Sequence, residues 1–458
     1  MNFCPFNNIF KKTFSNQPMK HLTLIGSLAL LLCIACTSND IQEYPTENPS
    51  SLNSKYPRLY TDNAGVIHMS WIHQVDEVAE LYTSSLIPSS EEPTGAWSTP
   101  LKVAASANWF INWADFPSII GYNGKPMASH WLSKVPGHTY SYDVRIQSFN
   151  DDDSIVSYED NDLRKANDFA VPSFVPHTDG TATEHGFVSM QAIDSTHFYA
   201  VWLDGRNTKS GMDHDSGNHE MSDHSSSPTL EGNPQDPLQT AMTLRGALIT
   251  TKGELIEESE IDASVCDCCN TSLTTTDQGM ISVYRNRSAE EIRDIYISRY
   301  EDGIWSTPKA VHDDGWKIAA CPVNGPQVEF NNGVTAVAWF TGAEQKARVK
   351  LAFSDDYGES FSEPIIVNEG STLGRVDLVM TDYNSAWISF VERNEETAQL
   401  RIQQIQRDGS VVQDLVLDAI DASRRSGFPQ MTAYNDGLLV AWTDWGEKAS
   451  TVRTRFLK

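Results

Sequence analysis

Basic residues are scarce in this chain: 34 Lys and Arg stand against 61 Asp and Glu, a formal charge of −27 over 458 residues. A surface with that field repels phosphate backbones, which excludes nucleic acid as a partner. Long apolar runs are missing too. The one apolar stretch, inside MKHLTLIGSLALLLCIAC (19–36), has only about a dozen residues where a membrane span needs ~20, and nothing later resembles a span. No long stretch carries the 3.6-residue periodicity of an amphipathic helix, so a helical bundle is excluded. Cysteine is sparse, at seven. Three of those seven nevertheless crowd into four positions, Cys266, Cys268 and Cys269.

What is present begins with an export pattern. A short basic start, the apolar run and small residues ahead of Cys36 read as a bacterial lipoprotein signal over 1–35, with Cys36 as the lipidated residue. Residues 36–55, rich in Ser, Asn and Pro, then read as a polar tether. The expected location is the bacterial envelope, lipid-anchored in the outer membrane and facing either the periplasm or the surface, with the membrane as a partner through that anchor. Loss of 1–35 removes Lys11, Lys12 and Lys20 but no acid, so the remaining domain is more acidic still.

Seven segments share one pattern of apolar run, turn and second apolar run closed by an aromatic. They are PRLYTDNAGVIHMSWI (57–72), FPSIIGYNGKPMASHW (116–131), GFVSMQAIDSTHFYAVW (186–202), CNTSLTTTDQGMISVY (269–284), GPQVEFNNGVTAVAWF (325–340), RVDLVMTDYNSAWISF (375–390) and FPQMTAYNDGLLVAW (428–442). Further strand pairs follow at 294–311, 349–367 and 400–417. Hairpins repeating at about 50 to 80 residues predict an all-β fold, a β-propeller of four-stranded blades. Seven blades are preferred, six if one unit is an excursion, in a single domain over 56–458 that is expected to be monomeric. The last unit stops after three strands, and residues 40–55 are the expected source of its fourth.

SDDYGESF (354–361) fits the Asp-box pattern S-x-D-x-G-x-x-[WF]. In it Asp356 is expected to accept turn N–H groups, Gly358 to take a positive φ and Phe361 to pack under the hairpin. With weaker echoes at 300–305 and 93–100, and with VCDCCNTS, DGWKIAACPVNGP and GRVD in order, the chain resembles exported sialidase-like propellers with Asp-box (BNR) repeats. That resemblance implies an exo-acting glycoside hydrolase or lectin for an anionic glycan or small carboxylate. Its clamp would be three arginines, with Arg206, Arg285 and Arg375 as candidates and Arg287 and Arg293 in reserve. Its acid would be Asp204 or Asp115, and its nucleophile Tyr284 backed by Glu291. Tyr56-Pro57-Arg58-Leu59 stands where such proteins carry Arg-Ile-Pro.

In a propeller, the residues before the first strand and after the second strand of each blade surround one axial pocket. Here they include Arg58, Asp115, Glu184, His185, Cys266 to Cys269, Cys321, Asp204, Arg206, Arg285, Arg287 and Arg375. If Cys4 and Cys33 leave with the signal and Cys36 is lipidated, Cys266, Cys268, Cys269 and Cys321 remain, in two successive blades. They make either disulfides stapling those blades, a site for copper or zinc, or a reactive thiol. The insert at 207–240 adds His214, His219 and His224 with Met212 and Met221, a composition that suits copper or zinc. Two readings follow: a glycan-directed propeller with an Arg-rich pocket, and a copper- or zinc-handling lipoprotein. A purely structural envelope propeller would need neither feature.

Overall fold

A computed structural model describes residues 41–87, 94–136, 141–149, 173–208, 240–394 and 397–458. The described residues form seven antiparallel sheets with almost no helix, arranged as a seven-bladed β-propeller. The blades span 54–106, 118–148, 185–265, 272–310, 327–369 and 372–420, and the seventh joins 430–457 to a strand from the N-terminal side. The second blade has three described strands, and Phe174 adds a bridge to Ile146.

Ring closure follows the expectation for 40–55. Glu43–Thr46 pairs antiparallel with Ser450–Leu457, Glu43 opposite Leu457, and supplies the outer strand of blade seven. Residues 43–54 are therefore built into the ring, and what precedes Ile41 lies outside the described residues.

Each second strand carries its closing aromatic into the core. Trp71, Trp131, Trp202, Tyr284, Trp339, Phe390 and Trp442 are each at most 2% exposed. Burying each contributes on the order of 1.5–3 kcal/mol, which makes this position the main apolar wedge of every blade. The hydrophobic clusters run between neighbouring blades: Val334, Leu351, Val376 and Phe390 bind blade five to blade six.

The first strands of all seven blades line an axial channel of about 250 Å³, from Arg58 in blade one to Gln430 in blade seven. Within those first strands, three blades repeat a backbone device. Tyr56, Phe187 and Arg375 take φ of 55°, 53° and 55°, each inside a register shift between first and second strand. Such bulges bend the strand and re-aim side chains. They turn the hub end of those blades toward a common plug, in which Trp113 stacks on Phe428 and Tyr56 on Phe116.

The 354–361 turn holds as its residues demand. Asp356 Oδ1 accepts the Ser360 N–H at 2.8 Å, Gly358 has φ 82°, and Phe361 packs against the blade-four core beneath.

Candidate functional site

The 264–270 segment runs into blade four locked against the end of that blade's second strand. The Cys266 N–H donates to Arg285 O at 2.9 Å, and Ser264 Oγ donates to Arg287 O at 2.7 Å. The 316–326 segment leads into blade five and is pinned to the same loop: Arg293 N donates to Trp316 O and Ile318 N to Glu291 O, both at 2.9 Å. Gly325 then passes so close to Asn270 that a Cβ there would lie 1.9 Å from Asn270 O. These contacts bring together cysteines some fifty positions apart, as the ring topology predicts.

The sulfur atoms of Cys266, Cys268 and Cys269 lie within 4.8 Å of one another, with Cys266 Sγ 2.9 Å from Cys269 Sγ. Cys321, outside that trio, lies near enough that its thiol and that of Cys268 perturb each other. All four are free thiols, two buried, Cys268 half-buried and Cys321 exposed. The spacing brackets the ~3.8 Å that sulfurs take around one tetrahedral ion with ~2.3 Å bonds, and exceeds the ~2.05 Å of a disulfide.

A charge network surrounds the sulfurs. Arg293 Nη1 lies 3.4 Å from Cys266 Sγ, and its other nitrogens donate to Glu291 Oε2 at 2.9 and 3.1 Å. Arg287 bridges Glu291 and Asp267. Burial would raise the Cys266 pKa, but hydrogen bonds from Cys268 and Cys269 and the Arg293 charge outweigh it, holding this thiol well below the usual range. Hydrogen bonding toward the neighbouring sulfurs pushes Cys268 up instead, and burial pushes up Cys269. Glu184 and Asp115 sit on the same face. Burial and the charge of Asp267 push Glu184 up to about 7, and burial with the charge of Glu184 does the same to Asp115.

The expected clamp arginines occupy other partnerships. Arg206 forks onto both oxygens of Asp204 at 2.8 Å and also reaches Glu258. Arg285, 1% exposed, donates only to the backbone carbonyls of Arg293, Asn324 and Phe340 and lies over the Trp316 ring. Arg287 is taken by Glu291 and Asp267. Arg375 donates to the carbonyls of Ala422 and Ser423 and to Ser426 Oγ, beneath Trp113. Tyr284 donates to Asp262 Oδ2 at 2.8 Å, while Glu291 is paired with Arg287 and Arg293, so the two are not the hydrogen-bonded pair the resemblance implied. Asp204 holds Trp202 Nε1 and Arg206, which keep its carboxyl below the ordinary range against the effect of burial. Asp115 accepts the Phe187 N–H at 2.9 Å. Cys36, His214, His219, His224, Met212 and Met221 lie outside the described residues.

Two features carry weight that residue type alone did not assign them. The Arg58 guanidinium lines the axial channel with no hydrogen bond or close ion pair among the described residues, feeling only the more distant charge of Asp377, which lines the same channel with Glu329. His177 stacks face to face on His185 at 3.7 Å. Arg58 stands where the resemblance places Arg-Ile-Pro, but its lack of partners, like the stacking of the two histidines, depends on which connections meet at one end of the ring.

The chain matches no family model and no curated protein. Solved structures similar to it include a Hadza microbial sialidase at 14% identity and TM-score 0.41, covering 88% of this chain and 65% of that one, less than two thirds of its length. An ulvan lyase of a polysaccharide lyase family is similar at 11% identity and TM-score 0.47, covering 90% of this chain and 93% of the lyase. An acylaminoacyl peptidase is similar at 10% identity and TM-score 0.40, covering 88% and 52%. A shared fold does not carry an activity with it.

Proposed function

We propose that this propeller is a metal-handling protein that binds a soft cation, copper(I) or zinc, at Cys266, Cys268, Cys269 and Cys321, carried at the bacterial envelope by lipid on Cys36. The observation that carries the reading is a trio of free thiols within 4.8 Å of one another, with a fourth, Cys321 from the next blade, beside Cys268. Thiolates select copper(I) and zinc over harder ions, and three or four sulfurs at this spacing suit either. Cys266 is already disposed to ionise, and Arg293 would balance part of the negative charge of the sulfurs.

A second reading is favoured by Arg58. An unpaired guanidinium in a 250 Å³ polar channel suits the carboxylate of an anionic glycan end-group, as in a sialidase-like lectin or hydrolase. The five arginines first considered for that role have their donors engaged elsewhere.

One preparation tests both. Protein purified without added metal is analysed for metal and for free thiols in denaturant, and titrated with uronate and sialate. The metal reading expects about one equivalent of copper or zinc, four thiols that react only after chelation, and loss of the metal in Cys266→Ser/Cys269→Ser. It is overturned if denatured protein has no free thiol, or if the double variant keeps its metal. The glycan reading expects saturable carboxylate-dependent binding that Arg58→Ala abolishes, and fails if neither acid binds.

A further inference from the structure

A second cluster of ligand-type side chains sits beside the third blade and contains no sulfur. Asp143 lies in the strand Tyr142–Ser148, His177 and Asp179 in the connection to the third blade, and His185 opens the strand His185–Ala192. His177 Nε2 is 3.7 Å from Asp143 Oδ1, and ligand atoms of Asp143, His177 and His185 all fall within 4.8 Å of one another. His185 Nδ1 and His177 Nε2 have no hydrogen-bond partner, and His185 Nε2, without a well-aligned hydrogen bond, lies 3.3 Å from Asp179 Oδ1, although His185 is wholly buried and His177 nearly so. Buried polar atoms without partners are costly and call for an explanation.

The other nitrogen of His177 points to the answer. Nδ1 lies 3.2 Å from Asp179 Oδ1, which fixes the tautomer with its proton on Nδ1 and a lone pair on Nε2. A carboxylate behind one imidazole nitrogen with the other presented bare is the arrangement that orients histidine ligands at metal centres. An alternative grouping of Asp179, His185 and Asp204 is less apt for a cation, because the Arg206 guanidinium already sits on Asp204 at 2.8 Å and approaches Asp179 at 3.7 Å.

We infer that Asp143, His177 and His185 form a second metal site, for a divalent ion of borderline character such as zinc or copper(II), with Asp179 as the positioning residue for His177. Imidazole with carboxylate suits such ions, whereas the thiol cluster favours softer ones such as copper(I), so the two sites differ in preference even where both accept zinc. The imidazoles are stacked parallel at 3.7 Å. Metal–nitrogen bonds of roughly 2.0–2.1 Å therefore require the rings to tilt out of that stack on binding. Asp143 is partly exposed, which leaves the ion a side open to solvent or to an incoming ligand.

Cobalt(II) titration of the full chain tests this, because thiolate-to-cobalt charge transfer marks the cysteine site and its absence marks a nitrogen and oxygen site. The inference expects a second cobalt equivalent whose visible d–d bands lack charge transfer and persist in the Cys266→Ser/Cys269→Ser variant. His177→Ala should remove it, and Asp179→Asn should weaken it roughly 10–100-fold while leaving one equivalent at saturation. Asp143→Asn, on a partly exposed side chain, keeps the test usable if the histidine variant fails to fold by circular dichroism. The inference is overturned if no sulfur-free cobalt signal appears, if it survives folded His177→Ala or Asp143→Asn, or if it is lost instead with His214→Ala/His219→Ala/His224→Ala.

Discussion

Gly325 shows how one missing methyl decides the geometry of the thiol centre. Its backbone is not in the left-handed region, so conformational freedom is not the reason glycine stands there; proximity is, since a Cβ would fall 1.9 Å from Asn270 O. The atoms it would meet are all backbone, so neither segment gives way cheaply. Gly325→Ala should cost about 1–3 kcal/mol in denaturant unfolding. It should also slow the mild-oxidant formation of a Cys268–Cys321 cross-link, read by mass spectrometry, because the segments carrying those two cysteines are forced apart. Unchanged stability together with an unchanged cross-linking rate would show that the segments meet in some other way. The same scale explains why residue type misassigned the arginines. A guanidinium near the axis is legible as a charge, but Arg285 spends its donors on three carbonyls from three separate segments. Only the packed loops supply those partners.

At the scale of the element, the repeated hairpin was legible because its cause is local. A second strand ending in a large aromatic, with turn residues before it, carries its own instruction for pairing and burial, and all seven aromatics are buried as that pattern implies. The outermost strand of blade seven is different. Glu43–Thr46 has little apolar content, and its place is set by the unpaired edge of Ser450–Leu457 and by the Arg455–Glu43 ion pair at 2.7 Å. Deleting residues 1–40 should leave the melting temperature nearly unchanged. Deleting 1–46 should lower it and produce a species that scatters light, since the exposed edge offers a template for pairing between chains. Equal melting temperatures and no aggregation in both truncations would mean that closure does not depend on this strand.

For the whole molecule, closing the ring gathers carboxyl groups from separate blades into one poorly solvated hub. Burial and the charge of Asp377 push Glu329 up to about 8, and burial pushes Asp377 itself up to about 6, with Asp115 and Glu184 at about 7. A carboxyl raised in the folded state stabilises it fully below the ordinary pKa, near 4.5 for Glu329, and that contribution is lost as pH rises through about 8. Melting temperature should accordingly fall between those limits, and Glu329→Gln should flatten the decline and gain most at the alkaline end. A variant whose profile parallels the parent would place the Glu329 carboxyl in water.

The amino-acid sequence by itself determined the all-β class, the hairpin repeat, the 354–361 turn and the convergence of two thiol-bearing segments. Each follows from periodicity, turn chemistry or the order of strands in a ring, which are properties of neighbouring residues and of topology. Tertiary structure alone decided which charges are spent and which are left bare. Arg206, Arg285, Arg287 and Arg375 find hydrogen-bond partners, while the Arg58 guanidinium, His185 Nδ1 and His177 Nε2 do not. Hydrogen-bond satisfaction is set by groups distant in the chain that packing brings within about 3 Å, and no local pattern encodes that distance.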